Sequence, residues 1–273
     1  MRSTVSGGKQ IHINCVKGDL AGYLLVSGDP ERVPKIASHW DTAKEVAVHR
    51  EFRSYTGKYK GAPISALSSG IGPACMAIAV NEASNVGVHT FIRVGSTGSI
   101  QKGIRLGDIV ISSAAVRLDC ASNCYVMPEY PAVASHEALL ALIEAAETLD
   151  INNYHVGVTA TTADFYAGQS RPTKAATPYA ENLLPTLQKA GVLNFEMETA
   201  TLYTLASLYG LRAASICAVF ANRCTGEFET GAGEENAIKV ANEAVKILRE
   251  WDKLKREKKK RWLYPALLSR KYV

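Results

Sequence analysis

Three apolar runs constrain what this chain can fold into. Gly22-Tyr23-Leu24-Leu25-Val26-Ser27, the stretch His89–Val94 and the stretch Arg212–Phe220 place apolar side chains at consecutive positions, not alternate ones. A strand with one wet face alternates apolar and polar residues, so strands of this type need cover on both faces. Cover is available between them. Ala74–Val86 is small and apolar nearly all round, and reads as a buried helix. Helices are also expected over Glu31–Trp40, His136–Leu149, Thr199–Tyr209 and Glu235–Arg256. A less regular one, interrupted by Pro178 and Pro185, is expected over 178–190. Strands alternating with helices predict a single α/β domain. A chain of 273 residues, 47% hydrophobic, can build such a core without disulfides or metal.

The cysteines and charges narrow the function classes. Of the six cysteines, Cys120 and Cys124 lie four apart, but no second close pair and no histidine cluster accompanies them. That argues against a zinc site. Cys217 sits in an apolar run and reads as a small buried hydrophobe. No signal peptide or long apolar span is read, so a reduced, cytoplasmic setting without membrane attachment is expected. The formal charge is +5, yet residues 249–273 carry ten Lys or Arg against three Asp or Glu. The end of the chain therefore holds +7 and leaves −2 for everything before it. A domain over 1–250 and a basic C-terminal extension over 251–273 are expected, with Lys258-Lys259-Lys260-Arg261 as a solvated helix end and not a nucleic-acid contact.

Four stretches carry chemistry. In Gly28-Asp29-Pro30 a strand stops and a helix starts, with Asp29 as cap, Pro30 in the first helical position and Arg32 in the first turn. Free N–H groups at a helix start suit an anion. Arg93 interrupts a buried strand, and a buried guanidinium needs an anionic partner, either a carboxylate or a bound ligand. The adjoining Gly95-Ser96-Thr97-Gly98-Ser99, expected as a flexible loop able to hold an anion, favours the ligand. Glu196 and Glu198, two apart in an extended segment, put two acceptors on one side and suit sugar hydroxyls. Before a helix, Glu198 is equally explained as a complement to the helix dipole; Glu196 is not. Phe165-Tyr166-Ala167-Gly168-Gln169-Ser170-Arg171 sets an amide and a guanidinium beside aromatics. Alone it is an ordinary surface loop; with an anion site and a sugar clamp it suits a planar base with a mixed donor and acceptor edge. The glycine-rich Cys224–Glu235 segment reads as a mobile lid.

Taken together, Gly28-Asp29-Pro30-Glu31-Arg32, His49-Arg50-Glu51-Phe52, Arg93-Val94-Gly95-Ser96-Thr97-Gly98, the Phe165–Arg171 stretch and Asn194-Phe195-Glu196-Met197-Glu198 resemble the uridine phosphorylase family of the nucleoside phosphorylase superfamily. The resemblance runs in unbroken order over roughly residues 10–250. It implies a central mixed β-sheet flanked by helices, and phosphate as co-substrate with no cofactor. It implies a phosphate site of Gly28, Arg32, Arg93, Ser96 and Thr97, completed by Arg50 from a neighbouring subunit. It implies a ribose site of Glu196, Met197 and Glu198, with His12 reaching over from that neighbour. Phe165, Gln169 and Arg171 would bind uracil, and Arg171, Gln169 and Arg93 would carry catalysis. A homo-oligomer follows, a hexamer built as a trimer of dimers. Relatives also hold a monovalent cation through the glutamate matched by Glu51 and a nearby serine; Cys75 stands at that serine position, which argues against the cation.

The resemblance implies phosphorolysis of uridine to uracil and ribose 1-phosphate. The competing expectations are a purine nucleoside phosphorylase of the same superfamily and a non-catalytic nucleoside-binding protein. Purine enzymes of this superfamily place an acid where this chain has Asn222, and a neutral amide cannot be a general acid.

Overall fold

A computed structural model describes residues 8–174 and 181–269. The loose segment expected over 1–10 lies mostly outside these residues, as does the start of the helix expected over 178–190. Ten strands form in chain order: β1 (Tyr23–Ser27), β2 (Thr42–His49), β3 (Phe52–Tyr59), β4 (Ala62–Ser68), β5 (Thr90–Ser99), β6 (Ile109–Leu118), β7 (Ala132–Val133), β8 (Tyr154–Thr162), β9 (Asn194–Glu196) and β10 (Arg212–Asn222). The helices are α1 (Arg32–Ala37), α2 (Pro73–Asn85), α3 (His136–Thr148), α4 (Leu183–Lys189), α5 (Thr199–Leu208), α6 (Glu234–Glu257) and α7 (Pro265–Ser269). All strands join one mixed sheet in the order β10-β6-β8-β9-β5-β1-β4-β3-β2, with β7 beside β6. The α/β architecture and its central mixed sheet are as expected. One feature is additional: β10 also pairs with β5, so β5, β9, β8, β6 and β10 close into a ring.

Both faces of the sheet are covered, which explains the consecutive apolar runs. One core joins α1, α3 and α6 through residues such as Ile36, Leu142 and Leu248 to Leu25, Ile92 and Ile216 of the sheet. The other joins α2 and α5, through Met76, Val80, Leu202 and Tyr203, to Leu24, Val26 and Phe91. Adjacent residues of β1 and β5 thus point into opposite cores. The strands β1, β4, β5 and β10 run parallel as β4-β1-β5-β10. Their C-terminal ends emerge on one edge, where open α/β sheets place ligands.

Three local expectations are corrected. Gly95–Ser99 is not a flexible loop; it continues β5, with Ser96 opposite Ala218 and Thr97 opposite Val219 on β10. One edge of this stretch is held by β10, while β1 pairs only as far as Arg93 and β9 only from Gly98, so Ser96 and Thr97 lie at a gap on the other edge. Helix α1 begins at Arg32, two residues past Pro30, because the Asp29 carboxylate accepts the Glu31 N–H at 2.9 Å and holds a turn first. At the other end, the boundary expected at 250/251 falls inside α6. Trp251, Leu254, Leu263 and Leu267 all join the α1–α3–α6 core. Over 258–269 the chain stays on the body, where Leu263 N–H donates to Glu137 at 2.9 Å.

Candidate active site

A cavity of about 790 Å³ opens where the parallel strands end. Each wall comes from a different strand end. Gly28 and Arg32 follow β1, Gly70 and Ile71 follow β4, and Ser96, Thr97 and Gly98 close β5. Phe220 and Ala221 lie at the end of β10, Glu196 at the end of β9, and the loop holding Phe165, Gln169 and Arg171 follows β8. The four stretches singled out in the sequence, spread from Gly28 to Glu198, thus share one space.

The anion end is built around Arg32. This side chain is buried, and its charge is anchored on one side: Nε donates to Glu234 Oε2 at 2.8 Å. Its NH1 donates to Ser27 Oγ and to the Val94 carbonyl, each at 3.2 Å. The positive charge in the first turn of α1 is therefore balanced by Glu234, at the start of α6. Thr97 lines the cavity, but its hydroxyl is engaged. It donates to the Phe195 carbonyl and accepts from Asn194 Nδ2, both at 2.6 Å. Gly28 packs closely; a Cβ there would sit 3.4 Å from the Gly70 carbonyl.

Arg93 finds carboxylates, which corrects the preference for a bound ligand as its partner. Nε donates to Glu196 Oε2 at 2.9 Å, and NH2 lies 2.6 Å from Glu198 Oε2. Burial works against its charge, but Glu198 and Glu196 more than offset this and hold Arg93 above the ordinary arginine range. One guanidinium serves two buried carboxylates. Burial first, and Glu196 beside it, raise the Glu198 carboxyl from its usual value against the opposing pull of Arg93. The complement to the helix start, which fitted Glu198 in the sequence, falls to Glu196. Glu196 is the helix acid: it accepts the N–H groups of Glu198 at 2.8 Å and Thr199 at 2.9 Å, plus the Thr161 hydroxyl. Glu198 instead reaches across and accepts the Gly72 N–H at 2.6 Å, on the lip of the cavity. Both line the cavity with Met197 between them.

The base end is a short 3-10 turn, Ala167–Gln169, followed by Ser170 with a φ of 54°. Asp164 accepts the Gly168 N–H at 2.9 Å, and Arg171 N–H donates to the Tyr166 carbonyl at 2.8 Å. This fold of the loop buries the Gln169 side chain, whose Nε2 donates to Thr162 Oγ1 at 3.3 Å. The Arg171 guanidinium stacks 4.2 Å from the centre of the Phe165 ring. Its Nε is buried with no hydrogen-bond partner among the described residues. Desolvation lowers the Arg171 pKa from its ordinary value. A buried donor without a partner is costly unless a ligand supplies the acceptor.

Several residues here carry no local sequence signal. Arg223 braces the base loop from beneath, donating to the Gln169 carbonyl at 2.9 Å and to that of Ser170 at 3.3 Å. Phe228 and Thr230 line the mouth from the segment expected as a lid. That segment is tied back to β10, where Glu229 N–H donates to the Phe220 carbonyl at 2.8 Å. Asn222 does not line the cavity. It is buried, donating to the Ile104 carbonyl at 2.6 Å and accepting from Cys224 N–H at 2.8 Å. Glu51 and Cys75 do line it, with Cys75 Sγ 3.8 Å from Glu51 Oε1.

Two expected residues are not brought to this cavity by their own chain. Arg50 is exposed in the β2–β3 turn with a φ of 55°. His12 is paired with Glu82, Nδ1 to Oε1 at 2.6 Å. Among the described residues no cluster of three or more His, Cys, Asp or Glu could hold a metal ion, and no helix is long and apolar enough to cross a membrane.

Comparison with known proteins agrees with this geometry. The chain is 57% identical to a uridine phosphorylase of Thermococcus kodakarensis over 268 residues, 97% of this chain and 96% of that protein. It is 39% identical to a uridine phosphorylase of Escherichia coli over 246 residues, covering 87% and 97% of the two chains. A guanosine phosphorylase of Halorubrum lacusprofundi is 36% identical over 230 residues, covering 84% and 90%. The family description "Phosphorylase superfamily" matches residues 23–251. A cavity at the ends of parallel strands, and a match over most of the sequence, lead to one conclusion: the chain belongs to the phosphorylase superfamily.

Proposed function

We propose that the protein catalyses phosphorolysis of uridine, giving uracil and ribose 1-phosphate. The observation that carries this reading is the base end of the cavity. The buried amide of Gln169 lies in one short turn with Arg171, whose buried Nε has no acceptor among the described residues. Gln169 offers one acceptor and two donors, which fit the N3–H and O2 of uracil. Arg171 offers only donors, which fit O4. The T. kodakarensis and E. coli relatives, named uridine phosphorylases, support the same substrate.

The chemistry follows from where charge develops. As the glycosidic bond stretches, positive charge grows on the ribose and negative charge on the base. Phosphate held near Gly28, Arg32, Arg93, Ser96 and Thr97 faces the ribose cation and attacks C1′. Glu198 and Met197 hold the ribose, with Glu196 fixing Arg93 alongside. Arg171 donates to O4 as the leaving charge collects there. Positioning and electrostatic stabilisation suffice, so neither a covalent intermediate nor a cofactor is required beyond phosphate as co-substrate.

Phosphate also needs Arg50, and the ribose needs His12, which lie away from this chain's own cavity. We therefore propose a homo-oligomer whose subunits complete each other's sites, arranged as three dimers. Six free cysteines fit a reduced, cytoplasmic compartment.

The guanosine phosphorylase relative favours a second reading, a purine substrate. Against it, the Asn222 amide is neutral and is used up by backbone groups. Uracil released from uridine, followed by absorbance with and without phosphate, tests the proposal. Phosphate-dependent release of uracil supports it. Cleavage of guanosine or inosine in preference to uridine would favour the purine reading. Uridine binding with no turnover would favour a nucleoside-binding protein, and turnover without phosphate a hydrolase.

A further inference from the structure

Arg32 is an arginine whose direction must be imposed. It sits in the first turn of α1, where the free N–H groups already carry partial positive charge, and a guanidinium there gains nothing from the helix. An arginine side chain also has many rotamers, and its fork binds an anion well only when aimed. What aims it comes from the far side of the chain. Glu234 is the first residue of α6, 202 positions away, and accepts from Arg32 Nε at 2.8 Å. Its other oxygen accepts from Lys35 Nζ at 2.6 Å, one turn further along α1. The carboxylate is itself well placed. It lies at the N-terminus of a 24-residue helix, where negative charge is favoured. Burial works to raise its pKa, but hydrogen bonds from Lys35 and Arg32 outweigh burial and hold it below the ordinary range, so it stays ionised. Entry to α6 is also fixed. Gly233 takes a φ of +70°, and a Cβ there would come within 2.3 Å of the Gly107 carbonyl. Glu234 therefore has little freedom to move away from Arg32.

We propose that Glu234 is a positioning residue for phosphate, acting through Arg32, an inference that rests on reading Arg32 as a phosphate-binding group. Glu234 occupies Nε, Ser27 and Val94 occupy NH1, and the guanidinium is held at the anion end of the cavity. Lys35 neutralises Glu234 on its outer side, so the carboxylate orients the arginine without repelling the phosphate.

The test compares the wild-type protein with Glu234→Ala, Glu234→Gln and Lys35→Met. Phosphate KM and uridine KM are measured by uridine phosphorolysis, and the rise in melting temperature caused by inorganic phosphate is measured separately. Losing an oriented, charge-assisted contact predicts that Glu234→Ala raises phosphate KM about tenfold or more. Uridine KM should change little, and the phosphate-induced rise in melting temperature should shrink. Glu234→Gln keeps one acceptor oxygen for two donors and should fall between Glu234→Ala and the wild type. Lys35→Met keeps the Arg32–Glu234 bond but leaves the Glu234 charge without its outer partner, so phosphate KM should rise by less than in Glu234→Ala. An unchanged or lowered phosphate KM in Glu234→Ala overturns the proposal, as does an equal rise in both KM values. If Glu234→Ala does not fold, Glu234→Gln decides by the same criteria. If the wild type does not cleave uridine, the proposed activity fails, while the phosphate-induced thermal shift still tests Glu234.

Discussion

Arg171 is held by stacking on Phe165 on one side and by a closed backbone turn at its root. Its Nε is buried with no acceptor among the described residues, and burial lowers its pKa from the ordinary value. A donor prepared in this way binds little tighter to neutral uracil but much tighter to the departing anion. A charge-assisted hydrogen bond of about 1.5–3 kcal/mol, strengthening only in the transition state, corresponds to roughly 10- to 100-fold in rate. Arg171→Ala should therefore lower turnover of uridine by at least tenfold, measured as kcat under saturating phosphate. An unchanged kcat would remove Arg171 from the mechanism. Arg93 illustrates a different use of the same side chain. Its Nε and one terminal nitrogen face Glu196 and Glu198, so it contributes to the shape and charge of the wall as well as to any ligand.

At the scale of elements, the cavity is assembled from strand ends, and the helices keep those ends in place. Helix α6 links the most distant parts. Its first residue holds Arg32, its middle packs against α3, and its last turns join a network beneath the sheet. There Lys255 and Arg212 both donate to Glu137, which also accepts the Leu263 N–H. Leu263 and Leu267, beyond the end of α6, are consequently part of the folded body. Removing residues 258–273 takes Leu263 and Leu267 out of the core and strips Glu137 of one donor, the Leu263 N–H. At about 1.5–3 kcal/mol for each buried leucine, stability should fall by about 3 kcal/mol or more. Chemical denaturation of the shortened and full chains measures this. A difference under about 1 kcal/mol would mean that this segment packs only loosely.

Two properties belong to the molecule as a whole. The first is its acid limit. Burial would raise the Asp252 carboxyl, but hydrogen bonds from Arg212, Tyr23 and Lys255 hold it far below the usual aspartate range. Bonds from Lys255 and the Leu263 amide likewise hold Glu137 low against burial. Both groups have folded pKa values depressed below their unfolded values of about 4. Their stabilisation is complete above that pH and is lost as the pH falls through the folded values. Melting temperature should therefore fall on acidification below about pH 4, and Asp252→Asn should flatten that fall while lowering the plateau near neutrality. An identical acid limb in both proteins would contradict this. The second is the proposed sharing of sites between subunits. If Arg50 serves a neighbour's cavity, Arg50→Ala and Arg171→Ala proteins, each weakly active alone, should regain activity when unfolded and refolded together. Mixed dimers then contain one cavity with neither defect. No recovery in the mixture would mean that each chain supplies its own Arg50.

The sequence by itself determined the fold class and disclosed many of the residues that line the cavity. Consecutive apolar strands require cover on both faces, and that requirement is local, written into runs such as Tyr23–Ser27 and Thr90–Val94. Short stretches such as Phe165–Arg171 also disclose their chemistry, because amide, guanidinium and ring lie within one loop. Tertiary structure alone decided which charges meet. Arg93 with Glu196 and Glu198, Arg32 with Glu234, and Arg223 with the backbone of Gln169 join positions far apart in the chain. Hydrogen bonding to such partners depends on distances set by sheet closure and helix packing, and no local pattern encodes those. The same reason explains Gly95–Ser99. Its composition is that of a loop, but β10 and β9 lie alongside and draw its backbone into the sheet. It explains the chain's end as well, where a run of lysines and arginines hides Leu263 and Leu267, which the core takes up.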